Sequence, residues 1–241
     1  MQASSTHRED ESVFRFLVRF LTDCGNDCTV LRCCLLGSLM STVLEISYGA
    51  HSSQFYRLYK PLTPSVKRLL PVCVLIHGGF FKEKYHIDNS AIDALIPSLL
   101  ESSMAVCLIE YRRVGGGGGF PSTNEDIISA LSHIDSIASE HGLDKNRVVV
   151  VGHSAGGTLA LWACCEPSVS ALPNKPILCV SIAPIGDLVA GQLRRLSDEG
   201  DAIERYIGET LSSLTDCPPP AYLRASPQHL MPPKVFFPIG D

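Results

Sequence analysis

Basic residues are in deficit. Twenty Lys and Arg stand against 25 Asp and Glu, a net charge of −5 over 241 residues, so no general electrostatic pull toward nucleic acid or an anionic lipid surface exists. Long apolar runs are also missing: Val30–Leu44 (VLRCCLLGSLMSTVL) is 15 residues with Arg32 inside it, short of the ~18 needed to span a bilayer. No membrane span is expected. A secretory leader is not expected either, because Glu9, Asp10, Glu11, Asp23 and Asp27 interrupt the region where a basic stretch and an apolar core should stand. The cytoplasm is the expected compartment. Cys24, Cys28, Cys33 and Cys34 cluster near the start but lack a second CxxC pair or a nearby His, so no metal site is read there. Cys73, Cys107 and Cys179 lie in apolar runs and read as reduced core thiols. No repeat of ~20 to 50 residues is visible, which removes solenoids.

What is present describes an ordinary globular core, with 45% hydrophobic and 19% charged residues, in a length that suits a single α/β domain. Residues 1–45 read as an N-terminal extension with an amphipathic helix over 12–21, where Arg15 and Arg19 stand four apart among apolar residues. From Thr42 onward short β-rich runs (TVLEIS, QFYRLY) give way to apolar strands alternating with helical patterns. Strands are expected at 72–76, 105–109, 148–152, 177–182 and 234–238, and helices near 88–101, 124–140, 155–165 and 199–207. That alternation predicts an α/β fold with a mostly parallel sheet covered by helices. The helix after Pro121 carries Ile127, Leu131, Ile134 and Ala138 at helical spacing, and Ser122-x-x-Glu125 reads as a capping box. Gly115–Gly119 fits neither a dinucleotide fingerprint nor a P-loop and reads as a flexible loop.

The chemistry concentrates in VVVVGHSAGGTLALW, residues 148–162, where a valine strand runs into Gly152-x-Ser154-x-Gly156 and then a helix. This is the pattern of a nucleophile elbow, whose turn is too tight for side chains two residues before and after the serine. A serine attacking a carbonyl creates an oxyanion that needs preorganised donors. His77-Gly78-Gly79-Phe80 follows the strand VCVLI and offers them. The expected donors are the backbone N–H groups of Gly78 and Gly79, joined by Ala155 after the expected nucleophile Ser154. His77 is expected to orient this loop through its ring rather than to act as the base.

On these residues the chain resembles the α/β-hydrolase superfamily, in the branch of HGG-type esterases, acetyl-xylan and feruloyl esterase-like proteins, and kynurenine formamidase. The resemblance runs over 46–241, through YGAHSSQFYRLYKP at 48–61, HGGFF at 77–81, IEYRRVGGGGGFP at 109–121, GHSAGG at 152–157 and APIGDL at 183–188. It implies a serine hydrolase of carboxylic esters or small amides acting through an acyl-enzyme, with a small-molecule ester or amide as partner and no metal or organic cofactor. It further implies that Glu110–Arg113 closes a sheet strand and that the Gly-rich loop borders the site. Phe81 stands where many relatives have Trp.

A second departure is larger. The fold's triad runs Ser, acid, His, and of the histidines only His229 follows the elbow, ahead of the strand KVFFP. The resemblance places the acid in an HGxxD-like segment after that strand, and Ile239-Gly240-Asp241 falls just short of it. Asp241 in a shifted loop is one candidate acid. Asp187 is another, although it reads better as a helix cap. The expectation is therefore a C-terminally truncated hydrolase lacking the last strand and helix, roughly 30 residues. Losing the His should lower turnover by on the order of 10⁶, leaving ~10³ to 10⁴ over water. Two alternatives stay open: a kynurenine formamidase-like amide hydrolase, and a catalytically inactive, hydrolase-like binding module.

Overall fold

Val148–Val151 are all buried, none more than 3% exposed, because branched side chains pack well on a sheet covered on both faces. In a computed structural model that describes residues 41–62, 69–197, 199–211 and 217–231, these valines lie in a six-stranded sheet of order β1-β2-β4-β3-β5-β6. Its strands are β1 (Ser41–Ser47), β2 (Phe55–Pro61), β3 (Leu70–Ile76), β4 (Ala105–Ile109), β5 (Leu143–His153) and β6 (Leu178–Ile182). The run β4-β3-β5-β6 is parallel, whereas β1 and β2 add an antiparallel edge. The expected α/β architecture is present. Since β1 opens at Ser41, residues 41–45 belong to the sheet.

Helices cover this sheet: α1 (Ile96–Glu101), α2 (Ser122–His141), α3 (Ala155–Cys165), α4 (Pro167–Ser170), α5 (Leu188–Leu193), α6 (Ala202–Ile207), α7 (Pro220–Ala225) and α8 (Pro227–Leu230). The expected strand at 234–238, the helix at 12–21, the cysteine cluster at 24–34 and Asp241 fall outside the described residues. No helix among the described residues is long and apolar enough to cross a membrane. Cys73 and Cys107 are buried core thiols as read, but Cys179 is only half-buried, on a strand with one described neighbour.

Local expectations fared unevenly. The apolar stripe of α2 is buried, with Ile127, Leu131, Ile134 and Ala138 at most 3% exposed, and Gly142 ends the helix at φ +69°. The capping box of Ser122 does not form, because Pro121 already has helical dihedrals and Ser122 is itself the first helical residue. Thr123 does the tying instead, its hydroxyl donating to Arg112 O (2.7 Å) and accepting from Gly119 N (2.9 Å). The segment 88–101 breaks into two short 3₁₀ turns before α1. In the first of these His86 caps Asp88 N while Asn89 takes the His86 N–H. The helix expected from residue 199 begins only at Ala202, after Gly200 at φ +74°. Gly115–Gly119 is a fixed turn rather than a flexible loop. Gly116 and Gly118 both donate to Arg113 O at 2.9 Å, and a Cβ on Gly118 would overlap the Arg112 carbonyl.

Candidate active site

Ser154 sits where β5 ends and α3 begins, with φ +54° and ψ −120°, a strained conformation for a residue with a Cβ. Two contacts force the turn. A Cβ on Gly152 would overlap the Gly156 carbonyl, and one on Gly156 would overlap the carbonyls of Ile76 and His77 at the end of β3. Both obstacles are backbone, which cannot swing aside. Gly156→Ala is therefore expected to destabilise the chain by about 3 kcal/mol or more, the upper range for overpacking. Chemical denaturation measures it, and an unchanged midpoint would show that the crossing of β3 and α3 is looser than described.

Beside Ser154 opens a cavity of about 390 Å³. Four of its walls are residues at positive φ: Phe80 (+54°), Phe81 (+57°), Ser154 (+54°) and Ala183 (+50°). Only two other non-glycine residues of the described chain, Ser103 and Arg195, have this conformation. Arg195 immediately precedes Leu196, which also lines the cavity. Strain of ~1 to 3 kcal/mol per residue persists only where surrounding structure enforces it, and it gathers at functional sites. Among the described residues no lining side chain is charged. Of the lining hydroxyls besides Ser154, Thr158 is spent on the Ile185 backbone and Ser197 accepts from Ala202 N.

The loop after β3 lies against this turn. A Cβ on Gly78 would stand 2.7 Å from His153 O and 3.1 Å from Ser154 Cβ, so the two segments touch. Gly79 has φ +118°, and a side chain there would run into Tyr85. Ser154 and Ala155 line the cavity, whereas Gly78 touches Ser154 from outside the lining and Gly79, after it, leads to the lining residues Phe80 and Phe81. The backbone N–H groups of Gly78, Gly79 and Ala155 donate to nothing among the described residues. Ala155 also opens the 11-residue α3, whose N-terminus carries partial positive charge.

His77 is fully buried, and burial lowers its pKa to about 3, with Arg113 and His86 adding to the drop against an opposing pull from the Gly78 carbonyl. Gly78 O, 2.7 Å from Nδ1, can only accept, so Nδ1 carries a proton. Nε2 faces Glu110 Oε1 at 3.2 Å, and Arg113 pairs with that same oxygen. Both ring nitrogens of His77 face Gly78 and Glu110 rather than the Ser154 hydroxyl. Its orienting role was legible in the motif. The carboxylate of Glu110 beneath it was not, since nothing local distinguishes Glu110 from a strand-end acid.

The BD-FAE family model matches residues 58–177. A kynurenine formamidase, avaC, of Aspergillus versicolor is 28% identical over 155 residues, covering 59% of this chain and 52% of its own length. Carboxylesterase 1E of Rattus norvegicus is 27% identical over 172 residues, covering 68% of this chain and 30% of its own. The chain thus spans about half, or less, of these curated relatives. Carboxyl esterase 2 from the mycorrhizal fungus Tuber melanosporum superposes with a TM-score of 0.59 at 24% identity, over 79% of this chain and 61% of that one. The chain belongs to the α/β-hydrolase superfamily, in its HGG-type esterase branch.

Within this hydrolase fold the remaining sequence candidates fall into place or drop away. Asp187 caps α5, its Oδ1 accepting from Ala190 N at 3.1 Å, as its sequence context suggested. His229 is exposed on α8. Of the other described histidines, His133 is bonded to Tyr56 (3.0 Å), His51 accepts from Ser53 N (3.1 Å) and His86 caps the first 3₁₀ turn. Among the described residues no base is hydrogen-bonded to the Ser154 hydroxyl. The Gly-rich loop is absent from the cavity lining and acts from behind: Phe120 N donates to Tyr206 O (2.7 Å), and Tyr206 stacks on Phe81 at 3.9 Å. Lys82, next along the loop, reaches Glu199 (2.5 Å) and Asp201 (3.5 Å), linking the HGG loop to the segment that carries Leu196. Sequence reasoning missed this link because it joins residues over a hundred positions apart.

Proposed function

We propose that the chain is a serine hydrolase of carboxylic esters or small amides that forms an acyl-enzyme on Ser154. The observation that carries this reading is the strained turn at Ser154, on a cavity wall, with the backbone N–H groups of Gly78 and Ala155 beside it donating to nothing among the described residues. In the proposed reaction the Ser154 oxygen attacks the substrate carbonyl, and the N–H groups of Gly78, Gly79 and Ala155 hold the oxyanion. The alcohol or amine leaves with a proton, and water then releases the acid and restores the hydroxyl. The apolar side chains of Phe80, Phe81, Ile185, Leu196 and Ile203 on the cavity wall favour a small, largely apolar acyl group. The likeness to a kynurenine formamidase supports an amide version of the same step.

With no described base on Ser154, turnover should be limited to what the oxyanion donors and binding provide, ~10³ to 10⁴ over water. Acylation should then be seen as an accumulating product. Incubated with p-nitrophenyl acetate, the chain is expected to release nitrophenol in a burst and to carry one acetyl group on the peptide containing Ser154, with imidazole accelerating both steps by standing in as the base. Peptide mass spectrometry reads the site. Binding of esters without acetylation of Ser154 would favour the inactive binding module, and acetylation only at lysine or cysteine would remove Ser154 from the mechanism.

A further inference from the structure

The direction of a peptide N–H is fixed by its own carbonyl, because the two point in opposite senses across a planar trans bond. Among the described residues the sole cis bond is Phe120–Pro121, so both peptides of the HGG loop are trans. The carbonyl opposite the Gly78 N–H is that of His77, and it accepts a hydrogen bond from the Tyr111 hydroxyl at 2.6 Å. The carbonyl opposite the Gly79 N–H is that of Gly78, and it accepts from His77 Nδ1 at 2.7 Å. Each of the two expected donors in the HGG loop thus has a clamp on the far side of its peptide. The clamps are also fastened to each other: the rings of His77 and Tyr111 stack with centroids 4.5 Å apart and 19° between planes. Both are fully buried.

Beneath the stack lies Glu110. Its Oε1 accepts from Tyr111 N (3.0 Å) and its Oε2 from Ile87 N (2.8 Å), with Arg113 as its charge partner. Burial holds the Tyr111 phenol well above its ordinary range, which keeps it a donor at any pH the fold tolerates. The hydroxyl makes no other hydrogen bond among the described residues, and Tyr111 is not part of the cavity lining.

We infer that Tyr111 is a positioning residue for the oxyanion hole, its hydroxyl holding the His77–Gly78 peptide so that the Gly78 N–H faces the reacting carbonyl at Ser154. This rests on the reading of Ser154 as nucleophile. It makes a distinction that a merely structural tyrosine does not: losing the hydroxyl weakens interactions with the developing oxyanion and leaves ground-state binding alone.

The experiment follows modification of Ser154 in the full chain by a fluorophosphonate, whose phosphoryl oxygen gains charge as an ester oxyanion does. Tyr111→Phe keeps the ring and its stack. It is expected to lower kinact about 10-fold with KI unchanged, below the ~10² to 10³ for deleting a donor outright, and to weaken binding of a tetrahedral boronic acid by the same factor. His77→Asn retains an N–H near the place of Nδ1 and should keep most of the labelling rate, whereas His77→Ala should lose about 10²-fold. These two variants carry the test if Tyr111→Phe does not fold. A wild-type kinact in Tyr111→Phe, a loss residing in KI, or equal rates for His77→Asn and His77→Ala would overturn the proposal. Failure of the underlying reading looks different: the wild-type chain would then label no faster than Ser154→Ala.

Discussion

Ser154→Ala is expected to end covalent modification of the chain by fluorophosphonates and by p-nitrophenyl acetate, while leaving the thermal midpoint where it was. The two halves of this result come from different features. The Ser154 hydroxyl has no hydrogen-bond partner among the described residues, so its removal breaks no internal bond, and alanine bears the same positive φ no worse than serine does. The fold should not notice. Chemistry should, because the oxygen that bonds to the acyl group is gone and nothing nearby replaces it. Thr158, a lining hydroxyl four residues on, both donates to and accepts from the Ile185 backbone at 3.1 and 3.0 Å, which keeps it from acting as a substitute. The fall in labelling should be about 10³-fold or more, since the proposed oxyanion donors should raise the serine's reactivity by that order over water even without a base. Intact-mass measurement after timed exposure decides it. Equal labelling of both proteins would move the nucleophile elsewhere, and the half-buried thiols Cys164 and Cys165 of α3 would be the first to test.

The sequence made this site readable because its strongest constraints are local. The GxSxG turn, the valine strand before it and the alanine-rich helix after it lie within 18 consecutive positions, Val148–Cys165, and α3 has the expected bounds. The same holds for the apolar stripe of α2. What escaped is what depends on distant partners. Phe80, Phe81 and Ala183 give no sign in a linear reading that they adopt positive φ, since a bulky or β-carbon-bearing residue there is the exception. The Glu110 carboxylate is tied to Ile87 and His77 across 23 and 33 positions. The capping box failed for a related reason: Ser122 and Glu125 have the right spacing, but Gly119 and Arg112 had already engaged Thr123, and that contact set the start of α2.

The glycines of the HGG loop divide along the same line, and they give the second large effect. Gly79 at φ +118° could not carry a side chain without strain and a collision with Tyr85, so a substitution there mixes misfolding with lost chemistry. Gly78 is the cleaner probe. Its backbone is outside the left-handed region, and an added Cβ meets His153 O at 2.7 Å, Ser154 Cβ at 3.1 Å and His153 Nδ1 at 3.3 Å. The first contact is with backbone on the central strand β5, which is hydrogen-bonded on both sides and will not yield. The loop must therefore retreat from Ser154, taking the Gly78 N–H with it. A donor displaced by a few tenths of an ångström from a developing oxyanion loses much of its effect, because these interactions act at short range in a site poor in water. Gly78→Ala is accordingly expected to lower the labelling rate of Ser154 about 10²-fold while the chain stays folded, with far-UV circular dichroism and the denaturation midpoint as the control. If labelling stays at the wild-type rate in a folded protein, the oxyanion donors lie outside the loop at 77–81, and Ala155 alone would remain of the proposed set.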